Sequence, residues 1–386
     1  MKDAIKKFCM ISLGLFFALL FLEIALRVVG YSSPPFITMD AERGWSPKPN
    51  QQGWTRNEGG KIYLTINSEG FRDVEHTGKK GVNTVRIVLL GDSYAEAAQV
   101  PLDQTFWWVM RQQLSGCTSL SGKNIEVINL GVDGYGTDQE LLTLREKGWR
   151  YNPDIVLLAF TPSNDITDNS HVLAVDKDKP FFSYGDGKLV MDTSFKDSTT
   201  YRVRMSWPIQ LYYRAINRSR VLQLGRQVQN VWRQKRLATA VQGSADSLDG
   251  KLGLADRSYI PPDDPTWNEA WQVTETLLQQ MNNEVQAKGA AFLVVTVTRA
   301  IQVSSNAKLR SSYMQRLGVD NLFYPEERIA AIGKRDGFQV LNLAQPFQDY
   351  ATKNNQPLHF PAGHWNVQGN QLAGQMIADK ICAMRR

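Results

Sequence analysis

Thr84-Val85-Arg86-Ile87-Val88-Leu89-Leu90-Gly91-Asp92-Ser93-Tyr94 is the stretch on which the reading of this chain turns. Its first seven residues are mostly apolar and β-branched, and they read as a buried strand. A glycine turn then lifts the Ser93 hydroxyl off the strand's carboxyl end. Open α/β sheets form their sites at that edge. A serine there has an exposed oxygen, neighbouring backbone N–H groups and room for a substrate, as a nucleophilic hydrolase requires. Gly-Asp-Ser alone also makes ordinary turns, so the rest of the chain must decide between the two roles.

Three further blocks come after it in order. Asn129-Leu130-Gly131-Val132-Asp133-Gly134-Tyr135-Gly136-Thr137 comes after the strand-like run Ile125–Ile128. Thr161-Pro162-Ser163-Asn164-Asp165 comes after the strand-like run Asp154–Phe160. Gly363-His364-Trp365-Asn366 opens a final helix near the C-terminus. Taken singly, the Asn164-Asp165 pair reads as a turn or helix cap, the glycines as loop flexibility and the histidine as structural. Four blocks in order, each at or beside an expected strand end, reverse that weighting.

The ordered set resembles the SGNH (GDSL-like) hydrolase superfamily over roughly residues 84–385. The resemblance implies an α/β fold: a three-layer α/β/α flavodoxin-like sandwich around a central, mainly parallel five-stranded sheet. It implies a serine esterase or O-acyltransferase needing no cofactor. Ser93 matches the nucleophile and His364 the general base. The Ser93 N–H, the Gly134 N–H and the Asn164 side-chain amide match the oxyanion-hole donors, with Asp92 and Asp165 in support. Preorganised neutral donors of this kind stabilise the anionic tetrahedral intermediate. Histidine is the side chain whose unperturbed pKa lets it take and return a proton near neutrality. The other histidines are His76, His171 and His359, and only His359 shares the C-terminal junction with His364.

Two positions depart from the family pattern. Pro162 stands where the third block usually has glycine. Ala362 and Pro361 stand where an aspartate usually precedes the histidine, and no acid lies between Asp349 and His364. Something else must therefore orient His364. A backbone carbonyl or a polar group from another loop could accept its Nδ1–H and give a Ser93–His364 dyad; a carbonyl from Leu358–Ala362 ranks first and His359 is a weaker candidate.

With 386 residues and 42% hydrophobic content, the chain can bury one large α/β core with additions. Its three cysteines make no disulfide framework and no zinc or iron–sulfur spacing. A bond between Cys117 and Cys382 is left open. Phe8 to Val29 is almost continuously apolar after Lys2, Lys6 and Lys7, so residues 1–30 read as a single-pass transmembrane anchor with a cytoplasmic N-terminus. A cleaved signal peptide is the competing reading, disfavoured by the length of the segment. The expected location is a bacterial cytoplasmic membrane, with the catalytic domain periplasmic.

Residues 31–80 read as a linker and collar, rich in turns, and residues 81–386 as the hydrolase domain. Phe71 and Arg72 are read as either facing the active site or packing at the surface, with surface packing preferred. Helices are expected over Gln104–Leu114, Asp138–Lys147 and Trp267–Lys288, with strands over Ala291–Val297 and Phe338–Leu343. A helical insertion spans about 170–264. Between Thr199 and Val241 it carries nine Arg and Lys residues and no acid. Val221, Leu224, Val228 and Val231 fall on one helical face. This stretch reads either as a solvated basic face or as a cap touching anionic lipid or anionic glycan. Nucleic acid is excluded as a partner by the expected location.

Two functions remain. One is a membrane-anchored esterase or O-acyltransferase acting on acyl groups of a cell-surface or exported polysaccharide or lipid-linked glycan. The other is a catalytically weak SGNH-fold scaffold or glycan-binding protein, supported by the missing aspartate.

Overall fold

The computed structural model describes residues 2–185, 187–229, 232 and 252–385. At its centre is a sheet of β5 (Thr84–Gly91), β6 (Asn124–Asn129), β7 (Ile155–Phe160), β10 (Ala291–Thr296) and β11 (Gln339–Asn342). Its spatial order is β11-β10-β7-β5-β6, and every neighbouring pair is parallel. This is the expected flavodoxin-like arrangement.

The sheet is covered on both faces, which is why its central strands β5 and β7 are buried at every position. Alternation along β5 sends Ile87 and Leu89 to one face and Val88 and Leu90 to the other. Ile87 and Leu89 pack with α3 (Phe106–Leu114), α13 (Ala344–Asn354) and α14 (Val367–Met384). Val88 and Leu90 pack with α4 (Thr137–Glu146), α10 (Pro265–Ala287) and α12 (Tyr324–Asp336). The one charged residue within β5, Arg86, is buried because Glu126 on β6 and the carbonyls of Gly78 and Tyr151 take up its guanidinium.

Cys117 and Cys382 form a disulfide with their Cα atoms 5.9 Å apart, tying the turn after α3 to the end of α14. Cys9 is the free cysteine. Helix α1 (Lys2–Val28) is long and apolar enough to cross a membrane, and none of its residues is buried.

Before the sheet lie two antiparallel hairpins, β1–β2 (Ile37–Asp40 and Gly44–Pro47) and β3–β4 (Gln52–Asn57 and Gly60–Thr65). Arg72 departs from the expected surface role. It is 1% exposed, and its guanidinium donates to the carbonyls of Glu96, Ala97 and Val100.

The insertion is not helical throughout. It opens with the hairpin β8–β9 (Phe181–Gly185 and Lys188–Asp192), then α6 (Thr199–Met205), α7 (Trp207–Arg218) and the helical run 220–229, here α8. Two of its bases meet acids of the same insertion: Arg202 with Asp197 at 2.8 Å and Arg204 with Asp178 at 3.0 Å. Val221 and Leu224 on α8 are half-buried, whereas Val228 is exposed. Val231, Arg233, Lys235 and Arg236 lie outside the described residues.

Candidate active site

Ser93 opens a single helical turn, α2 (Ser93–Glu96), at the carboxyl end of β5. Gly91 permits this geometry. Its φ is +155°, and a Cβ there would meet the Ala95 side chain at 2.8 Å. The Asp92 side chain caps the turn by accepting from Tyr94 N at 2.9 Å. The turn ends at Ala97 in the left-handed region, φ 52°, where the Arg72 guanidinium grips the carbonyls on either side.

His364 reaches Ser93 from the C-terminal loop, with Nε2 2.8 Å from Ser93 Oγ. The loop is a tight return: Phe360 N donates to His364 O at 2.8 Å, and Asn366 N donates to Leu358 O at 3.0 Å. The Tyr94 hydroxyl lies 2.9 Å from the Gly363 carbonyl, so the residue after the serine also holds the histidine loop.

The orienting partner of His364 is a polar group from another loop and not the first-ranked carbonyl of Leu358–Ala362. Its Nδ1 is hydrogen-bonded to Glu58 Oε1, and its backbone N–H donates to the same oxygen at 3.3 Å. No carbonyl of Leu358–Ala362 fills this place. His359 does not either: it is buried with Nε2 2.9 Å from the Thr298 carbonyl, and burial pushes its pKa down to about 4. Ser93, His364 and Glu58 therefore form one hydrogen-bonded series, with the carboxylate supplied by the lead-in segment.

Glu58 sits at the tip of the β3–β4 hairpin, in the turn Asn57-Glu58-Gly59-Gly60. Asn57 fixes that tip by accepting from Gly59 N at 2.9 Å and donating to Ala98 O at 2.6 Å. Gly59 is required because a Cβ there would lie 1.7 Å from the Gln99 carbonyl. The hairpin thus presses on the segment directly after α2, the one Arg72 holds. Glu58 is barely exposed, and its Oε2 is buried without a hydrogen-bond partner among the described residues.

The expected oxyanion donors gather around the same turn. Val132 N donates to Gly91 O at 3.0 Å and Asp133 N donates to Glu96 Oε2 at 2.9 Å, which lays the Gly131–Gly134 loop against α2. Gly134 has φ +76°, and a Cβ there would touch Trp45 at 3.4 Å. Trp45, on β2, donates from Nε1 to Asp133 O at 3.0 Å. Asn164 donates one amide hydrogen to Asp92 Oδ2 at 2.6 Å, which orients the amide and leaves its second hydrogen.

Asp165 lies behind the site, buried, accepting from Thr161 N at 2.8 Å and so closing the turn that carries Asn164. Burial pushes the carboxyls of Asp165 and Glu140 well up and that of Asp92 up to about 6. The Tyr94 N–H and the nearby His364 pull Asp92 back down.

A cleft of about 520 Å³ opens beside Gly134. Trp45 and Tyr213 line it, with Lys48, Arg226, Asp133 and Asp168. Burial and the neighbouring Arg226 charge hold the Lys48 ammonium down to about 8. Among the described residues no group of three or more His, Cys, Asp and Glu is placed to hold a metal ion.

Sequence reasoning missed Glu58 and Trp45, both in the lead-in segment. The available signal was a hairpin turn carrying an acid, Asn57-Glu58-Gly59-Gly60, in a chain whose usual acid is absent.

No protein-family model matches the chain, and no curated protein matches it. Among solved structures, the chain is similar to an acetyl xylan esterase, AlAXEase, at 12% identity and a TM-score of 0.38, covering 77% of this chain and 100% of that one. It is similar to a catalytic mutant of an acetylxylan esterase from Geobacillus stearothermophilus at 12% identity and a TM-score of 0.39, covering 77% and 94%. It is similar to a lipase/acylhydrolase from Enterococcus faecalis at 14% identity and a TM-score of 0.37, covering 78% and 96%. Likenesses this distant carry no weight for activity, which rests on the chain's own geometry.

Proposed function

We propose that the chain is a membrane-anchored serine esterase of the SGNH type, or an O-acyltransferase using the same acyl-enzyme. Its substrate would be an acylated, most simply acetylated, glycan outside the cytoplasmic membrane. The observation that carries the reading is the hydrogen-bonded series Ser93 Oγ, His364 and Glu58.

In the proposed reaction Ser93 Oγ bonds to the ester carbonyl carbon while its proton passes to His364 Nε2. The Ser93 and Gly134 N–H groups and the second Asn164 amide hydrogen stabilise the resulting oxyanion. Glu58 stabilises the imidazolium. His364 then returns the proton to the departing sugar oxygen, leaving acyl-Ser93. Water or a second sugar hydroxyl attacks, giving up its proton to His364. The acyl carbon–Oγ bond then breaks as His364 hands that proton to Ser93 Oγ, so the freed acid or the new ester leaves and Ser93 is restored.

The cleft beside Gly134 lies within the usual range for small-molecule sites and is bordered by aromatic rings and charges of both signs, which suits a polar glycan. The apolar helix α1 supports anchoring. The Cys117–Cys382 disulfide supports a compartment outside the cytoplasm. The scaffold reading rested on the absence of an orienting acid, and Glu58 occupies that place.

A fluorophosphonate probe tests the assignment on the full chain. Labelling of the wild type and none of Ser93→Ala, with the fold intact by circular dichroism, is expected. Equal labelling of the two, or none of either, would return the scaffold reading.

A further inference from the structure

The insertion does more than wall the cleft. Its α7 turns Ile216 inward and presents Trp207, Leu211 and Tyr212 outward, at 76%, 55% and 49% exposure. Positions 207, 211 and 215 recur at helical spacing, so the outward stripe reads Trp-Leu-Ala. Leu222, at the start of α8, is exposed too, as are Arg214 and Arg218, which follow Trp207 and Leu211 on the same helical face. A soluble face would not place its largest apolar side chains outward in a row.

This stripe is held at one height on α1. Glu23 of α1 accepts from Ser219 Oγ, Arg220 N and Val221 N, each at 3.0 Å, and thereby caps α8. Arg27 donates to the Arg218 carbonyl at 2.5 Å. Further up the chain, Tyr31 and Ser33 bond to Gln227 and Gln223 on α8. Below Glu23, Phe16, Leu19 and Leu20 face Val221 and Leu222 across an open apolar groove of about 370 Å³. Leu20 lies three residues from Glu23, or about 4.5 Å along the axis. Amphipathic surface helices bury their apolar faces roughly 5–10 Å deep in the interface.

We propose that the α7–α8 surface is an in-plane membrane-docking face that lies in the outer leaflet beside α1, with acyl chains against Trp207, Leu211 and Leu222. The occupant is the bilayer, because Phe16, Leu19 and Leu20 of the spanning helix share one groove with Val221 and Leu222 of the insertion, directly below the Glu23 cap. Arg214 and Arg218 share that face, and their long side chains can bury their stems there while the charged heads reach headgroup phosphates. Arg204, Gln210, Tyr213 and Arg226, from the same insertion, line the cleft beside Gly134. Docking therefore sets the cleft at the membrane surface, where a lipid-linked or emerging glycan would meet it. The inference rests on α1 spanning the membrane.

Nitroxide accessibility measured by electron paramagnetic resonance tests it on the full chain in phosphatidylethanolamine/phosphatidylglycerol nanodiscs. One label is placed on native Cys9, which is free. Others go on Leu211→Cys and on Val82→Cys, each with Cys9→Ser; Val82 is 86% exposed on the hydrolase domain. Fluorophosphonate labelling of Ser93 checks that each variant is folded. The expected result is oxygen-favoured, nickel-chelate-poor accessibility at positions 9 and 211, and the reverse at 82. Position 211 behaving like 82, with position 9 in lipid, overturns the docking face and leaves the anchor standing. Position 211 shielded from both reagents overturns it in favour of a protein partner or second copy. Water-like behaviour at all three overturns the anchor and the inference with it.

Discussion

Replacing Glu58 by glutamine isolates the charge of the proposed acid from its geometry. Glu58 Oε1 accepts from both the Nδ1–H and the backbone N–H of His364, so a glutamine carbonyl can take the same place and keep the tautomer. What is lost is attraction to the imidazolium formed in the transition state. Two unit charges about 4 Å apart interact by about 4 kcal/mol at an effective dielectric of roughly 20. His364 is 29% exposed on its side chain and Glu58 10%, so solvent removes part of this. Glu58→Gln should therefore lower kcat by about 10²- to 10³-fold with KM little changed. Glu58→Ala also frees the ring and should approach the roughly 10⁴-fold loss seen when a triad acid is disabled. The assay is hydrolysis of 4-nitrophenyl acetate by the detergent-solubilised full chain across the neutral pH range. A glutamine variant within about threefold of wild type in kcat would refute the role of Glu58.

Asn164→Ala should lower kcat about a hundredfold or more, as loss of one oxyanion donor does, while fluorophosphonate labelling of Ser93 shows the site still folded. Arg72→Met leaves three buried carbonyls without their donor; urea unfolding should show a loss of about 3 kcal/mol or more. Reducing the Cys117–Cys382 bond should lower stability by about 2–5 kcal/mol, seen as a lower Tm with reductant and no change with reductant in Cys117→Ser. The pH dependence has a definite sign. Burial raises Glu96, Asp168 and Glu326 each to about 7, so the folded state binds protons there that the unfolded chain releases above about 4.5. Their contribution is full at low pH and is lost as pH rises through 7. His359, held down at about 4, works the other way between about 6.5 and 4. The three carboxyls outweigh the one histidine, so Tm should rise as pH is lowered from 8 to 6, and a fall would contradict the buried carboxyl assignment.

The sheet, its order and the Ser93–His364 contact were legible because each sits in a local pattern. Apolar runs of strand length end in glycine turns, and the residues at those ends face one edge. Glu58 was not legible because no local pattern ties a hairpin tip to a histidine 306 positions away; only the packing of Gly59 against Gln99 does so. The search for a local substitute led to the Leu358–Ala362 carbonyls, whose nearness in sequence did not become a contact with Nδ1. Arg72 was misassigned for a related reason. An arginine after a turn reads as surface, yet three carbonyls made burial tolerable. The hairpin at the start of the insertion was hidden by the Arg-rich helical stretch that comes after it.

Glu58, Ser93 and His364 stand in that order along the chain, and β11 ends at Asn342, before the histidine loop. The sheet is therefore complete in sequence before His364 is reached. A chain clipped between Asn342 and His364 contains all five strands yet no partner for Ser93 Oγ. Under the proposed reaction that serine would be idle, so building the sheet and arming the serine are separable steps along the chain.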